Sequence, residues 1–323
     1  MPSNTQYAVR NTPVAYFLVG TTASGKSSVA QYIAEREGRL IVSADSMNLY
    51  RGMDIGTAKP SCSEREKADY AGFDLAEPTE KFSVAAYLDA VKPAFESGRE
   101  IIVAGGTGLY VKCLTEGFDD VPPENTALRS ELEALDFQSL ENRAKKEATE
   151  LFNTLTIDDQ QNPRRLIRIL ERTAGDCEQA QQSSPARQNR AWNSRPKPVI
   201  VGLHVEREVL LQRIEQRVEA MYASGLLDEA KGLSELDLSP TALQAIGYAE
   251  AFAVLKNEMT LEAAKEKTVI RTRQLAKRQM TWFRNQLNVE WIETAAYQTV
   301  GKLAEAVSNA WKRNGATAVQ FCG

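Results

Sequence analysis

A chain of 323 residues with 43% hydrophobic and 25% charged residues has the composition of a packed globular protein, which excludes a disordered chain and a disulfide-stapled one. Its length suits a core with a smaller second domain, so two units are expected. The net charge of −4 excludes a uniformly basic nucleic-acid binder while leaving room for local basic faces.

Cys62, Cys113, Cys177 and Cys322 are scattered without a CxxC pair, and His204 is the sole imidazole, so neither a zinc site nor a disulfide framework is indicated. The polar start MPSNTQYAVRNTP has no apolar core of a leader, and no stretch is apolar for ~18 residues. A reducing cytoplasm, with no membrane contact, is the expected setting.

In chain order, VAYFLV at 14–19 ends in Gly20 and reads as a buried strand entering a turn, followed by a helix from Lys26. LIVS at 40–43 and FDL at 73–75 read as strands. After Ser83, Val84, Tyr87, Leu88, Val91 and Phe95 recur at helical spacing, and IIVA at 101–104 is the next strand. Strands alternating with helices imply βαβ units and a parallel sheet whose loops after Val19, Ser43 and Ala104 converge.

Beyond Pro122 and Pro123 the sequence becomes charged and helical to about 175, then Gln/Ser-rich without periodicity. A helical insertion at 120–196, ending in a mobile loop at 176–195, is expected between core segments 1–119 and 197–323. PVIVGLHV at 198–205 is a strand, and two helices lead to a last strand, VEWI, at 289–292. No internal repeat is visible. The fold class is α/β, a P-loop-like parallel sheet flanked by helices with a smaller all-helical insertion.

GTTASGKS at 20–27 satisfies G-x-x-x-x-G-K-[ST] between a strand and a helix. Such a loop offers backbone N–H groups from Gly20, Thr21, Thr22, Ala23, Ser24 and Gly25, the Lys26 charge, and the Ser27 hydroxyl as a Mg²⁺ ligand. Read alone it means a diphosphate or triphosphate, most often ATP. Asp45, just past the second strand, could accept a proton, bind Mg²⁺ or cap a helix. GGTGLY at 105–110 offers further N–H groups and the Thr107 hydroxyl.

Leu210, Ile214, Val218 and Met221 form one helical stripe with Arg217 on its shoulder, a guanidinium that wants a carboxylate or a phosphate. Arg164, Arg168 and Arg172 step by four opposite Leu166, Ile169 and Leu170, and Lys267, Arg271 and Arg278 share a later helical face. Charge runs usually mark solvated surface, but two basic faces in an acidic chain suit a polyanion. His204 reads as a packed core residue.

Together GTTASGKS, ADSMNLYRGMDIGTAKP (44–60), GGTGLYVK (105–112), NPRRLIRILE (162–171), AIGYAE (245–250) and TRQLAKRQMTWFR (272–284) closely resemble the tRNA dimethylallyltransferase family. The resemblance covers most of the chain. It implies transfer of a dimethylallyl group from dimethylallyl diphosphate to N6 of adenosine 37, beside the anticodon, in tRNAs that read codons beginning with U.

Carried over, the resemblance puts the diphosphate on Thr22 to Ser27, Mg²⁺ on Ser27, and proton acceptance on Asp45. Thr22 and Lys26 join the catalytic set, and Arg217 helps hold the diphosphate. Asp45, Ser46, Met47 and Asn48, Thr107, Arg129, and Arg164, Arg165, Leu166, Ile167 and Arg168 align with segments that contact the tRNA anticodon stem-loop. A monomer is expected.

The chain departs from the family pattern at Thr21, usually proline, at Asn48, often glutamine, and at Ala71 to Asp74, where histidines are common. The rival readings are a P-loop small-molecule kinase, a prenyltransferase acting on free adenine nucleotides, and a nucleotide-dependent nucleic-acid switch. The basic helices favour tRNA over AMP.

Overall fold

The computed structural model describes residues 12–117, 125–180 and 197–321. Its contacts divide the chain into two units, Met1–Phe118 with Arg195–Gly323, and Asp119–Ser194.

The first unit opens with β1 (Val14–Gly20), α1 (Lys26–Glu37), β2 (Leu40–Ser43), α2 (Cys62–Arg65), β3 (Tyr70–Ala71), α3 (Val84–Glu96), β4 (Ile101–Gly105) and α4 (Gly108–Glu116). The second holds α5 (Thr126–Glu133), α6 (Phe137–Glu147), α7 (Thr149–Thr154), α8 (Ile157–Gln160) and α9 (Pro163–Ala180). The first unit resumes with β5 (Val199–His204), α10 (Arg207–Ala223), α11 (Leu226–Leu233), α12 (Pro240–Leu243) and α13 (Tyr248–Leu255). It ends with α14 (Leu261–Gln286), β6 (Asn288–Glu293), α15 (Val300–Asn314) and β7 (Thr317–Ala318).

The sheet runs β3-β2-β4-β1-β5-β6, all parallel, with β7 antiparallel beside the start of β1. Successive strand residues face opposite sides. Leu18, Ile41, Ile102, Val201, Leu203 and Ile292 meet Val29, Ile33 and Ala34 of α1 and Leu303, Val307 and Trp311 of α15. On the other side lie α3, α4 and α14, with Phe283 of α14 edge-on to Trp291. Ser83 starts α3 by accepting the Ala86 N–H at 3.1 Å, a cap worth about 1 kcal/mol.

Between β1 and its neighbours β4 and β5 the chain reverses its direction of winding, so the carboxyl ends of these strands form the crevice where α/β sheets bind ligands. The loops after β1, β2 and β4 all open there.

The structure corrects several expectations. FDL at 73–75 is not a strand: Asp74 sits at φ 53° with its carboxylate on Lys59 and Arg65, and the sheet partner of β2 is Tyr70–Ala71. Five helices, not two, join β5 to β6, because Gly225 (φ 98°) and Gly247 (φ 93°) break the run and Ser239 caps a new turn. VEWI is not the last strand. His204 is partly exposed rather than core, with Nδ1 2.7 Å from Glu293 Oε2 on the edge strand β6.

In the helical unit Leu132, Leu140, Ala144, Phe152, Leu166, Ile167, Ile169 and Leu170 form a separate core. The helix α9 runs to Ala180, five residues into the stretch read as a mobile loop; the remainder of that stretch up to 195 lies outside the described residues.

Candidate active site

The turn from β1 to α1 is bent by Ala23 and Gly25, both at positive φ (61° and 88°). Glycine at 25 removes the Cβ penalty at the step where the helix begins. The Ser24 N–H donates to the Thr21 carbonyl at 3.2 Å, and Lys26 Nζ donates to the same carbonyl at 3.2 Å. The first N–H groups of α1 have no intrahelical acceptor, so the loop presents donors and the positive end of a helix to an anion.

The loops after β2 and β4 are stitched together. Ala44 N–H donates to Ala104 O at 2.9 Å, and Thr107 N–H donates to Ala44 O at 3.0 Å. A Cβ at Gly105 would stand 2.1 Å from Ala44 O, so only glycine lets these backbones approach so closely. Thr107 Oγ1 then accepts the Ser46 N–H at 2.9 Å and lies 3.2 Å from the Ser46 hydroxyl. Thr107 orders the loop that carries Asp45.

Asp45 caps no helix. Its Oδ1 accepts the Met47 N–H at 3.0 Å, a turn within its own loop. Its charge acts on two cations, Lys26 and Arg217. Burial lowers the Lys26 pKa to about 8, a fall that the Asp45 charge opposes and the Arg217 charge reinforces. The Arg217 guanidinium is likewise lowered by burial and supported by Asp45. Two partly buried cations thus lie within the field of the Asp45 carboxylate.

Among the described residues no carboxylate lies within ion-pair distance of Arg217, and its nearest bond is a long one, 3.5 Å from Nη2 to Thr57 O. Arg213, one turn earlier on α10, reaches Ser24 O at the same distance.

Sequence reasoning did not single out the residues that hold this cleft. Glu229 of α11 accepts the N–H groups of Asp54, Ile55 and Gly56 at 3.0–3.4 Å and the hydroxyl of Tyr248, fixing the loop that offers Thr57 O to Arg217. Lys59, its side chain fully buried, donates to Tyr50 O, to Asp54 at 2.7 Å and to Asp74 at 2.6 Å. Gln279 of α14 bonds to Thr22. Lys59, Tyr248 and Gln279 lie inside the motifs quoted above, but only the fold shows what their side chains reach.

The departures from the family pattern are accommodated locally. Thr21 is buried and contributes its carbonyl to the loop. Asn48 Nδ2 donates to Ser43 Oγ at 3.3 Å, and its buried Oδ1 has no partner among the described residues. Asp74 takes Lys59 and Arg65 where histidines are common.

The basic faces are less free than their spacing suggested. On α14, Arg271 is bound to the buried Glu250 at 2.6 Å, Lys265 to Glu219, and Arg273 to Glu215. Lys267, Lys277, Arg278 and Arg284 are exposed. In the helical unit Leu166 and Ile167 are buried core residues, so their side chains pack rather than meet a ligand. Arg129 and Arg168 both bind the buried Glu171, at 2.7 and 3.1 Å, and Arg165 lies 3.2 Å from Asp159. Arg164 is exposed.

The family profile described as IPP transferase matches residues 48–286, and one described as isopentenyl transferase matches 13–71. The chain belongs to the IPP transferase family. A relative named tRNA dimethylallyltransferase from Geobacter metallireducens is 37% identical over 287 residues, 85% of this chain and 90% of the relative. One of the same name from Bordetella pertussis is 37% identical over 308 residues, 91% and 96% of the two chains.

Among solved structures, the tRNA isopentenylpyrophosphate transferase of Bacillus halodurans superposes with a TM-score of 0.65 at 33% identity, covering 94% of this chain and 98% of that one. A eukaryotic dimethylallyltransferase acting on tRNA shares the fold, with a TM-score of 0.73 at 24% identity over 94% of this chain and 80% of its own. Both structures thus share the fold of this chain. Among the described residues no helix is long and apolar enough to cross a membrane.

Proposed function

We propose that this protein transfers the dimethylallyl group of dimethylallyl diphosphate to N6 of adenosine 37 in tRNAs that read codons beginning with U. The observation that carries the reading is the loop Gly20 to Ser27 opening into the same crevice as Asp45, with Lys26 and Arg217 within the field of that carboxylate. A cleft that binds a diphosphate beside a proton acceptor suits substitution at carbon with diphosphate as leaving group.

The N6 lone pair forms a bond to C1 of the dimethylallyl group as the C1–O bond breaks, and its electrons leave with the diphosphate. The N6 proton passes to the Asp45 carboxylate. Lys26, Arg217 and the N–H groups at the start of α1 take up the charge that grows on the departing oxygen. The adenine leaves its stack to reach the cleft.

Ser27 sits exposed in the first turn of α1, and a lone hydroxyl beside diphosphate oxygens is the donor set that suits Mg²⁺, which keeps several waters and shares its ligands with phosphate. Among the described residues no cluster of three His, Cys, Asp or Glu forms a protein-enclosed metal site. When bound, Mg²⁺ would neutralise diphosphate charge at Ser27.

Each unit brings cations that could serve a tRNA backbone, Lys277, Arg278 and Arg284 on α14 and Arg164 on α9, while Ser46, Met47 and Thr107 border the carboxylate and are assigned to the tRNA side. Incubation with labelled dimethylallyl diphosphate and Mg²⁺ tests this reading against tRNA, against tRNA with guanosine at position 37, and against AMP, with ATP in a parallel tube. Label in the first acceptor alone is expected. Label in AMP alone, or ATP turnover without label transfer, overturns it.

A further inference from the structure

Gln279 leaves α14 to bridge two of the loops that build the cleft. Its Oε1 accepts the Thr22 N–H at 2.8 Å, and its Nε2 donates to Gly106 O at 3.0 Å. One end meets a donor and the other an acceptor, which fixes the orientation of the amide.

The contact is built in from the opposite side as well. A Cβ at Gly106 would lie 2.5 Å from Gln279 Nε2, and one at Gly108 would lie 2.0 Å from the Trp282 ring. Positions 279 and 282 share a helix face, so α14 seats itself on the loop after β4 through two side chains and two glycines. The next residue in that loop, Thr107, orders Ser46 beside Asp45. One side-chain amide therefore ties the diphosphate loop to the loop that sets the proton acceptor.

The Thr22 N–H is committed to Gln279, and the Ser24 N–H to Thr21 O. The N–H groups at the start of α1 remain for the anion. Gln279 thus takes up the Thr22 N–H and holds Thr22 in place, leaving the helix-start donors to the anion.

We propose that Gln279 is a positioning residue for the transfer step, holding Thr22 and the 105–107 loop in one fixed relation to the leaving group and to Asp45. This rests on the prenyl-transfer reading. Displacing reacting groups by about 1 Å costs on the order of 100-fold in rate, so the loss belongs in kcat and not in tRNA affinity.

The test measures kcat, KM for both substrates, tRNA Kd and thermal midpoint for the wild type, Gln279→Ala, Gly106→Ala and the double variant. Gln279→Ala is expected to lower kcat by on the order of 100-fold, with tRNA Kd within about threefold and a midpoint close to wild type. In the Gly106→Ala background the same change is expected to cost at most a fewfold more, because the added Cβ, 2.5 Å from Gln279 Nε2, already displaces that amide.

If Gln279→Ala does not fold, Gly106→Ala displaces the same amide from the other side and is expected to reproduce the kcat loss. An unchanged kcat, fully multiplicative losses in the double variant, or a loss confined to tRNA KM and Kd overturns the inference while the wild type still transfers label. A wild type that transfers none overturns the prenyl-transfer reading and the inference with it.

Discussion

Raising the pH through 8 should release the diphosphate from this cleft. Lys26 falls from 10.5 to about 8 because burial disfavours its charged form, with Asp45 opposing the fall and Arg217 adding to it. That fall means the buried ammonium costs about 3 kcal/mol more than one in water. A bound diphosphate returns this cost through the charge it brings to Nζ, so binding and protonation are linked. In the free protein about half of Lys26 is charged near pH 8 and about a tenth one pH unit higher. Dimethylallyl diphosphate loses its last phosphate proton near pH ~6 and stays fully ionised throughout.

Calorimetric titration with dimethylallyl diphosphate and Mg²⁺, without tRNA, should therefore show Kd rising about tenfold for each pH unit above 8. In the complex the diphosphate holds the proton on Lys26, so kcat should stay level to higher pH than kcat/KM does. Lys26→Arg keeps a charge at every pH in this range. It should bind more weakly below pH 8 but lose the slope above it. A Kd that stays flat from pH 7.5 to 9.5, or a slope that survives in Lys26→Arg, would refute the reasoning. The same shift has a stability consequence of opposite sign. Below pH 8 the folded protein bears the cost of the charged lysine, and stability rises as the pH climbs from 8 towards 10.5.

Asp45→Asn retains an acceptor for the Met47 N–H but cannot take a proton, so kcat should fall by about 10² to 10⁴ with tRNA Kd within a fewfold; an equal loss of affinity would make Asp45 a recognition residue. Lys59→Met leaves Asp54 and Asp74 facing each other without their buried cation, and urea unfolding should show a loss of about 3 kcal/mol. Burial raises the Asp74 carboxyl, but hydrogen bonds from Lys59 and Arg65 carry it below 3.8. Its stabilisation is therefore present above that value and lost as pH falls through the lower folded value, a loss that acid titration should show reduced in Lys59→Met. Lys277→Ala and Arg278→Ala should each flatten the dependence of log tRNA affinity on log salt by about 1, whereas Arg271→Ala, which strips the buried Glu250 of its partner, should act on thermal stability.

The strand, glycine-rich turn and helix start at 14–37 were legible from residue types alone because that geometry is a property of the backbone. Asp45 and Arg217 stood out as charges at apolar or loop positions, yet each kept more than one meaning until its neighbours were known. The basic faces show the opposite limit. A helical period places Arg271 and Arg278 on one side of α14, but only the packing of α13 reveals that Arg271 serves Glu250. Leu166 and Ile167 likewise belong to a motif in sequence and to a core in space.

The sequence by itself determined the alternation of strands and helices and the presence of a helical insertion, and pointed to a phosphate-bearing ligand, since these follow from local pattern and backbone geometry. Only the tertiary structure decided that Lys26 and Arg217 both come within the field of Asp45, that Glu229 and Lys59 brace the 54–59 loop, and that Gln279 spans 257 residues of chain to hold Thr22. Such contacts depend on which strands become neighbours and on how closely two backbones can approach, and no local period in the chain encodes either.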